Sequence, residues 1–102
     1  MMEYKYEKCR LSSRVTKILD KYSNNGWKLS SVAMGDLATR YEMIFEKEES
    51  QEKSYSYKHE KCRRSSKVTK LLNEYAKNGW KLVFHVMGDL ATRHELFFEK
   101  EI

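Results

Sequence analysis

Shifted by 53 residues, the chain falls onto itself. Positions 7–48 align with 60–101 without a gap, and 28 of those 42 pairs are identical. A period near fifty with two copies is an internal duplication rather than a solenoid. The joint, Glu48-Glu49-Ser50-Gln51-Glu52-Lys53-Ser54, is wholly polar. Fully extended it spans about 25 Å, enough to set the copies side by side. The domain reading is therefore a first repeat over 1–48, a linker over 49–54 and a second repeat over 55–102. A unit of this size buries little core by itself, so the copies must pack on each other or the chain must oligomerise.

Each copy reads as β-α-β-β. Glu3-Tyr4-Lys5-Tyr6-Glu7-Lys8 alternates aromatic and charged residues, and Tyr55-Ser56-Tyr57-Lys58-His59 repeats that strand period. Ser12 or Ser13 can then cap a helix. Val15, Ile18, Leu19 and Tyr22 form one apolar stripe, copied as Val68, Leu71, Leu72 and Tyr75. Asn25-Gly26 and Asn78-Gly79 end the helices, because glycine accepts the left-handed backbone of a C-terminal cap. In the second strand, Trp80, Leu82, Phe84 and Val86 are expected on one face, with Lys81, Val83 and His85 on the other. The first copy has Trp27, Leu29, Ser31 and Ala33 on the matching face. The third strand runs from Arg40 to Lys47 and from Arg93 to Lys100, with Met43, Phe45, Leu96 and Phe98 opposed to Ile44 and Phe97. One helix covers one face of such a sheet, so Ile44, Phe97 and Val83 need another cover. The expected fold is α+β: tandem β-α-β-β units forming antiparallel sheet with two helices, paired about a pseudo-twofold axis or assembled as a homo-oligomer.

Lys and Arg number 20 against 15 Asp and Glu, a net charge of +5 with a pI near 9.2. That balance suits acidic partners, and equally a solvated basic surface. Cys9 and Cys62 occupy matching places, which admits a disulfide between the copies but favours two buried thiols. The charged start MMEYKYEKCR has no apolar core of a signal peptide, and no apolar run reaches membrane-spanning length. The expected setting is a reducing cytoplasm with no membrane partner.

The run Leu72-Asn73-Glu74-Tyr75-Ala76-Lys77-Asn78-Gly79-Trp80-Lys81-Leu82-Val83 follows an aromatic-x-aromatic strand and precedes Phe97-Phe98-Glu99-Lys100. It resembles a family of small bacterial and phage domains known as domain of unknown function 4177. The resemblance covers each repeat from first strand to last, and its most specific element recurs as Asn25-Gly26-Trp27-Lys28-Leu29. It implies a fold and no enzyme activity. Members are usually single copies, so the tandem is a departure. The Lys-Cys-Arg-x-Ser-Ser segment and the Met-Gly-Asp-Leu-Ala-Thr-Arg loop lie outside the family pattern.

Those two segments are duplicated with unusual fidelity while core positions drift, as Ile18/Leu71, Ile44/Phe97 and Ser31/Phe84 show. A recent duplication or a shared interface would explain this. So would a ligand site. A helix N-terminus carries free N–H groups and partial positive charge, which attract anions. Lys8, Arg10, Ser12 and Ser13 stand there in the first copy, and Lys61, Arg63, Ser65 and Ser66, with Arg64, in the second. Arg40 and Arg93 offer planar forks for phosphate or carboxylate, Thr39 and Thr92 add hydroxyls, and Tyr4, Tyr6, Tyr55 and Tyr57 could stack on a base. The expectation is two equivalent sites for an anionic, nucleotide-like small molecule.

Arg10, Arg14, Lys17 and Lys21 form a basic helix ridge, partly copied by Arg63, Lys67 and Lys70, but Asp20 and Glu74 interrupt it and no nucleic-acid reading motif is present. His59, His85 and His94 occur only in the second copy, Asp36 and Asp89 sit in Gly-Asp turns, and Glu42 and Glu95 lack an evident second carboxylate. Neither a nucleophile–base–orienter set nor metal-ligand spacing can be assembled. The leading expectation is a non-enzymatic, cofactor-free protein that sequesters a nucleotide-derived signal, in the manner of a phage counter-defence protein acting in the host cytoplasm. A protein-interaction or inhibitor module is the alternative, and nucleic-acid binding the third.

Overall fold

The computed structural model describes residues 1–50 and 52–102. The chain runs β1 (Met2–Cys9), α1 (Ser12–Ser23), β2 (Lys28–Gly35), β3 (Arg40–Glu48), β4 (Tyr55–Cys62), a 3-10 turn (Ser65–Lys67), α2 (Val68–Lys77), β5 (Lys81–Gly88) and β6 (Arg93–Glu101). Two antiparallel three-stranded sheets result, ordered β1-β3-β2 and β4-β6-β5. The duplicated α+β architecture is thus as the repeat requires. Of the polar joint, Gln51 lies outside the described residues. On its far side the Ile102 N–H reaches back to the Ser54 carbonyl at 2.9 Å. Gly26 and Gly79 do close the helices, at φ +85° and +86°, a region where a side chain would be strained.

The second strand of each unit departs from simple alternation. Leu29 opposes Phe45, but Ser31 opposes the next residue back, Ile44; Leu82 and Phe84 repeat the shift opposite Phe98 and Phe97. A β-bulge at Ser30 and Val83 inserts one residue and reverses the facing of everything after it. Leu29 and Leu82 therefore face the helix of their own unit with Phe45 and Phe98. Ser31 and Ala33, like Phe84 and Val86, turn to the opposite face. The expected sharing of one face by Leu82, Phe84 and Val86 fails for this reason.

The bulge decides how the units pack. On the second sheet it collects Phe84, Val86, Phe97, Tyr57 and His59 on the face away from α2, a broad apolar back. The same face of the first sheet holds Ser31, Ala33, Ile44, Tyr4 and Tyr6, with far less aliphatic area. Only the second back can serve as a cover, and it covers the first unit: Phe97 and Tyr57 join one core with Val15, Leu19, Leu29, Val32, Tyr41, Met43 and Phe45. α1 lies against β4, and β2 against β5. The units are stacked front to back and not paired about a pseudo-twofold axis, the first of the two arrangements expected from the sequence. A twofold would bury matching residues equally. Instead Phe97 is 0% exposed and its counterpart Ile44 37%. α1 buries Val15 and Leu19 completely, whereas α2 has no fully buried residue. Leu96 and Phe98 form a second, smaller core under α2, with Tyr75 stacked on Phe98 at 4.2 Å between ring centroids.

Candidate functional site

The faithfully copied loop is a left-handed turn. Asp36, Leu37 and Ala38 have φ of 50°, 57° and 60°, and Asp89, Leu90 and Ala91 have 49°, 58° and 64°. Each such non-glycine residue costs about 1–2 kcal/mol of backbone strain. Side chains clasp the turn. Arg10 donates to Thr39 Oγ1 at 2.9 Å and to the Asp36 carboxylate, and Arg63 repeats this with Thr92 and Asp89. Thr39 and Thr92 close onto the Asp36 and Asp89 carbonyls at 2.6 Å. The neighbouring glycine matters most in the second copy, where the facing carboxylate is buried. A Cβ on Gly35 would lie 1.9 Å from Glu42 Oε2, and one on Gly88 2.4 Å from Glu95 Oε2. The two turns also meet, the Asp89 N–H donating to the Ala38 carbonyl at 2.7 Å. Fidelity between the copies therefore has a structural cause: turn, clasp and carboxylate are one unit.

The forks expected to hold an external anion are already filled. Arg40 donates to Glu42 Oε2 through Nε at 3.2 Å and Nη2 at 2.7 Å, and Arg93 Nε reaches Glu95 Oε2 at 2.5 Å. Glu95 is 0% exposed. Besides Arg93 it takes the Tyr41 hydroxyl at 2.8 Å and His59 Nε2 at 2.6 Å. Two of these donors lie on other strands, His59 on β4 and Tyr41 on β3 of the other unit, and the sequence does not show them. Burial pushes the Glu95 carboxyl up, but the bonds from His59, Tyr41 and Arg93 outweigh it and hold the group below the usual carboxylate range. The Arg10 and Arg63 bonds depress Asp36 and Asp89, and the Arg40 bond depresses Glu42. A folded pKa below the unfolded one means that the unfolded chain binds protons more readily in acid. The stabilisation is complete above the ordinary carboxylate range, about pH 4.5, and is lost as pH falls through the folded values. The thermal midpoint is expected to fall steeply below that pH, and Glu95→Gln to flatten the acid limb. An unchanged acid limb in that variant would refute the role given to Glu95.

The helix starts differ from expectation. The extended residue before each helical segment is Leu11 (φ −89°, ψ 123°) or Arg64 (φ −93°, ψ 116°), and neither start has a side-chain cap. Ser12 and Ser13, like Ser65 and Ser66, sit one and two positions too late, already inside the first turn. Ser12 Oγ instead accepts from Lys61 Nζ at 2.6 Å across the unit boundary. Ser65 Oγ lies 3.1 Å from His94 Nε2, and His94 Nδ1 lies 3.0 Å from His85 Nε2. In the sequence this hydroxyl–imidazole–imidazole line shows only as two histidines of the second copy. Ser13 and Ser66 are exposed and join neither arrangement. Cys9 and Cys62 are free, half-buried thiols, and burial raises the pKa of Cys9.

Lys8 and Lys61 lead to a different feature. Between first strand and helix, each unit has an open cleft built from equivalent residues. The first, about 240 Å³, is lined by Glu7, Lys8, Arg14, Lys17, Ile18 and Lys21. The second, about 350 Å³, is lined by Glu60, Lys61, Lys67, Lys70, Leu71 and Glu74, with Cys62. Tyr22 and Tyr75 tie the acidic groups down by donating to Glu7, at 2.5 Å, and to Glu60. The bond to Glu7 with burial, and burial with the bond to Glu60, push both phenols up to about 12. Three helix cations face one carboxylate in the first cleft, and Lys67 and Lys70 face two in the second; Lys8 and Lys61 border the clefts from the sheet face away from the helices. Tyr4 and Tyr6 lie on the sheet face away from α1, and Tyr57 is buried, so none of these rings flanks a cleft.

Among the described residues no group of three or more His, Cys, Asp or Glu could hold a metal ion, and no helix is long and apolar enough to cross a membrane. Comparison with family models, curated proteins and solved structures returns no match.

Proposed function

We propose that this chain is a non-enzymatic binding protein that holds an anionic, phosphate-bearing small molecule in the cleft between first strand and helix of each unit. One contrast carries the reading. Arg10, Arg40, Arg63 and Arg93 are each neutralised by a carboxylate, whereas no ion pair among the described residues engages Lys8, Arg14, Lys17, Lys21, Lys61, Lys67 or Lys70. Uncompensated cations on a concave wall concentrate an anion and form charge-assisted hydrogen bonds to phosphate oxygens. The first cleft, with the larger cation excess, is the tighter site. Binding without turnover agrees with the one hydroxyl–imidazole line standing in a single unit, away from the duplicated clefts. The resemblance to domain of unknown function 4177 supports the biological setting, a small phage-type protein that takes up a nucleotide-derived signal in its host's cytoplasm.

Equilibrium dialysis against nucleotides and cyclic dinucleotides at about 150 mM salt tests this. Up to two molecules per chain are expected. Arg14→Glu with Lys17→Glu should abolish the tighter uptake, while Lys67→Glu with Lys70→Glu should leave it. No uptake by the unaltered protein, or uptake indifferent to both pairs, sinks the proposal. Retention of DNA or RNA alone, with affinity falling steeply with salt, replaces it with nucleic-acid binding.

A further inference from the structure

We propose that the chain self-associates head to tail, the exposed back of the first sheet of one copy seating on the front of the second unit of the next. This is the contact the two units already make within one chain; with the first anion cleft it shares Lys8 alone.

The argument rests on what each half of that contact keeps when moved by one repeat. Inside the chain, Tyr57 of the second back inserts at the first bulge, where its hydroxyl accepts the Leu29 N–H at 2.8 Å. The counterparts are Tyr4 and Leu82, the same residue types, now 62% and 37% exposed, whereas Tyr57 and Leu29 are both 2%. Lys61 reaches Ser12; Lys8 and Ser65 stand in the equivalent places. The Asp89 N–H meets the Ala38 carbonyl; Asp36 and Ala91 repeat the pair. Glu95 draws in Tyr41 from the first front. Its twin Glu42 is already ordered in the same manner, Oε1 taking the Tyr6 hydroxyl at 2.9 Å and Oε2 taking Arg40. The residue at the Tyr41 position on the second front is His94, which can donate to Glu42 in place of the phenol.

The polar anchors are thus retained on both open surfaces, while the apolar filling is reduced: Phe84, Val86 and Phe97 become Ser31, Ala33 and Ile44. The contact between copies is a weakened version of the one within a copy, and so reversible. It uses different patches on the two partners, so each added copy leaves one back and one front open. Such heterologous contacts yield a concentration-dependent series rather than a closed symmetric dimer. The first basic cleft stays open beside an occupied front, so the second does too.

Sedimentation equilibrium across a concentration series is the test, with two disabled variants and one enhanced. Tyr4→Arg with Ile44→Asp removes the back; Leu82→Asp removes the front, at an exposed position. Each alone should be monomeric, and a 1:1 mixture should form heterodimers, because each retains the half the other lacks. Restoring the apolar filling with Ser31→Phe, Ala33→Val and Ile44→Phe should strengthen association by at least about tenfold, the equivalent of 1.4 kcal/mol. An unaltered protein that stays monomeric into the millimolar range overturns the proposal. So does a back-disabled variant that still self-associates, or a mixture of the disabled variants that stays monomeric.

Discussion

Glu95→Ala is expected to lower the unfolding free energy by about 3–5 kcal/mol, because it strands a buried charge partner, while Glu42→Ala changes stability little. The two residues are the same amino acid at the same place in the repeat, next to the same arginine and the same glycine. The difference is what covers them. Glu95 lies under the first unit, where Arg93, His59 and the Tyr41 hydroxyl all point at one carboxylate. Without it, three donors lose their acceptor where water cannot replace it. Glu42 faces solvent, and water can take over from Arg40 and Tyr6. Urea unfolding of the two variants side by side reads the contrast, and equal losses would mean that the units do not stack front to back.

Phe97→Ala should cost about 3–5 kcal/mol as a large-to-small change in a closed core, and Ile44→Ala no more than about 0.5 kcal/mol as a surface change. Phe97 stacks on His59 at 4.6 Å and sits in the shared core with Val15 and Leu19. Its cavity could close only if the units moved together. Ile44 has the same register on the outer sheet and nothing over it. The comparison belongs at low micromolar concentration, to dilute out the proposed contacts between copies. Thermal or urea midpoints that shift alike would place the second unit elsewhere.

Element types were legible because they depend on period. The helix stripe from Val15 to Tyr22, the Gly26 and Gly79 stops and the alternation around Phe45 and Phe98 are local, and the folded chain keeps them. The need for a cover over Phe97 was legible too, since a large apolar side chain on the outer face of a sheet is costly to leave in water. The bulge at Ser30 and Val83 was not. One inserted residue leaves no compositional mark, yet it moved Phe84 and Val86 to the other face and so set the packing of the whole chain. The site divided along the same line. Lys8 and Lys61 could be read as basic groups near a helix, but pairing of Arg10 with Asp36, or of Arg63 with Asp89, depends on left-handed turns whose positive-φ residues are not glycines. Leu37 and Ala38 hold that conformation because Arg10 and Thr39 clasp it.

Front-to-back stacking also gives synthesis a direction. The first repeat leaves the ribosome with its front complete but uncovered, displaying Val32, Met34 and Tyr41 until the second repeat follows. During that interval the second back of a neighbouring chain whose own units have not yet docked fits the waiting surface as well as the chain's own does. The short tether between the repeats settles the competition by local concentration. A lengthened joint should therefore raise the yield of exchanged, interlocked products without altering either fold.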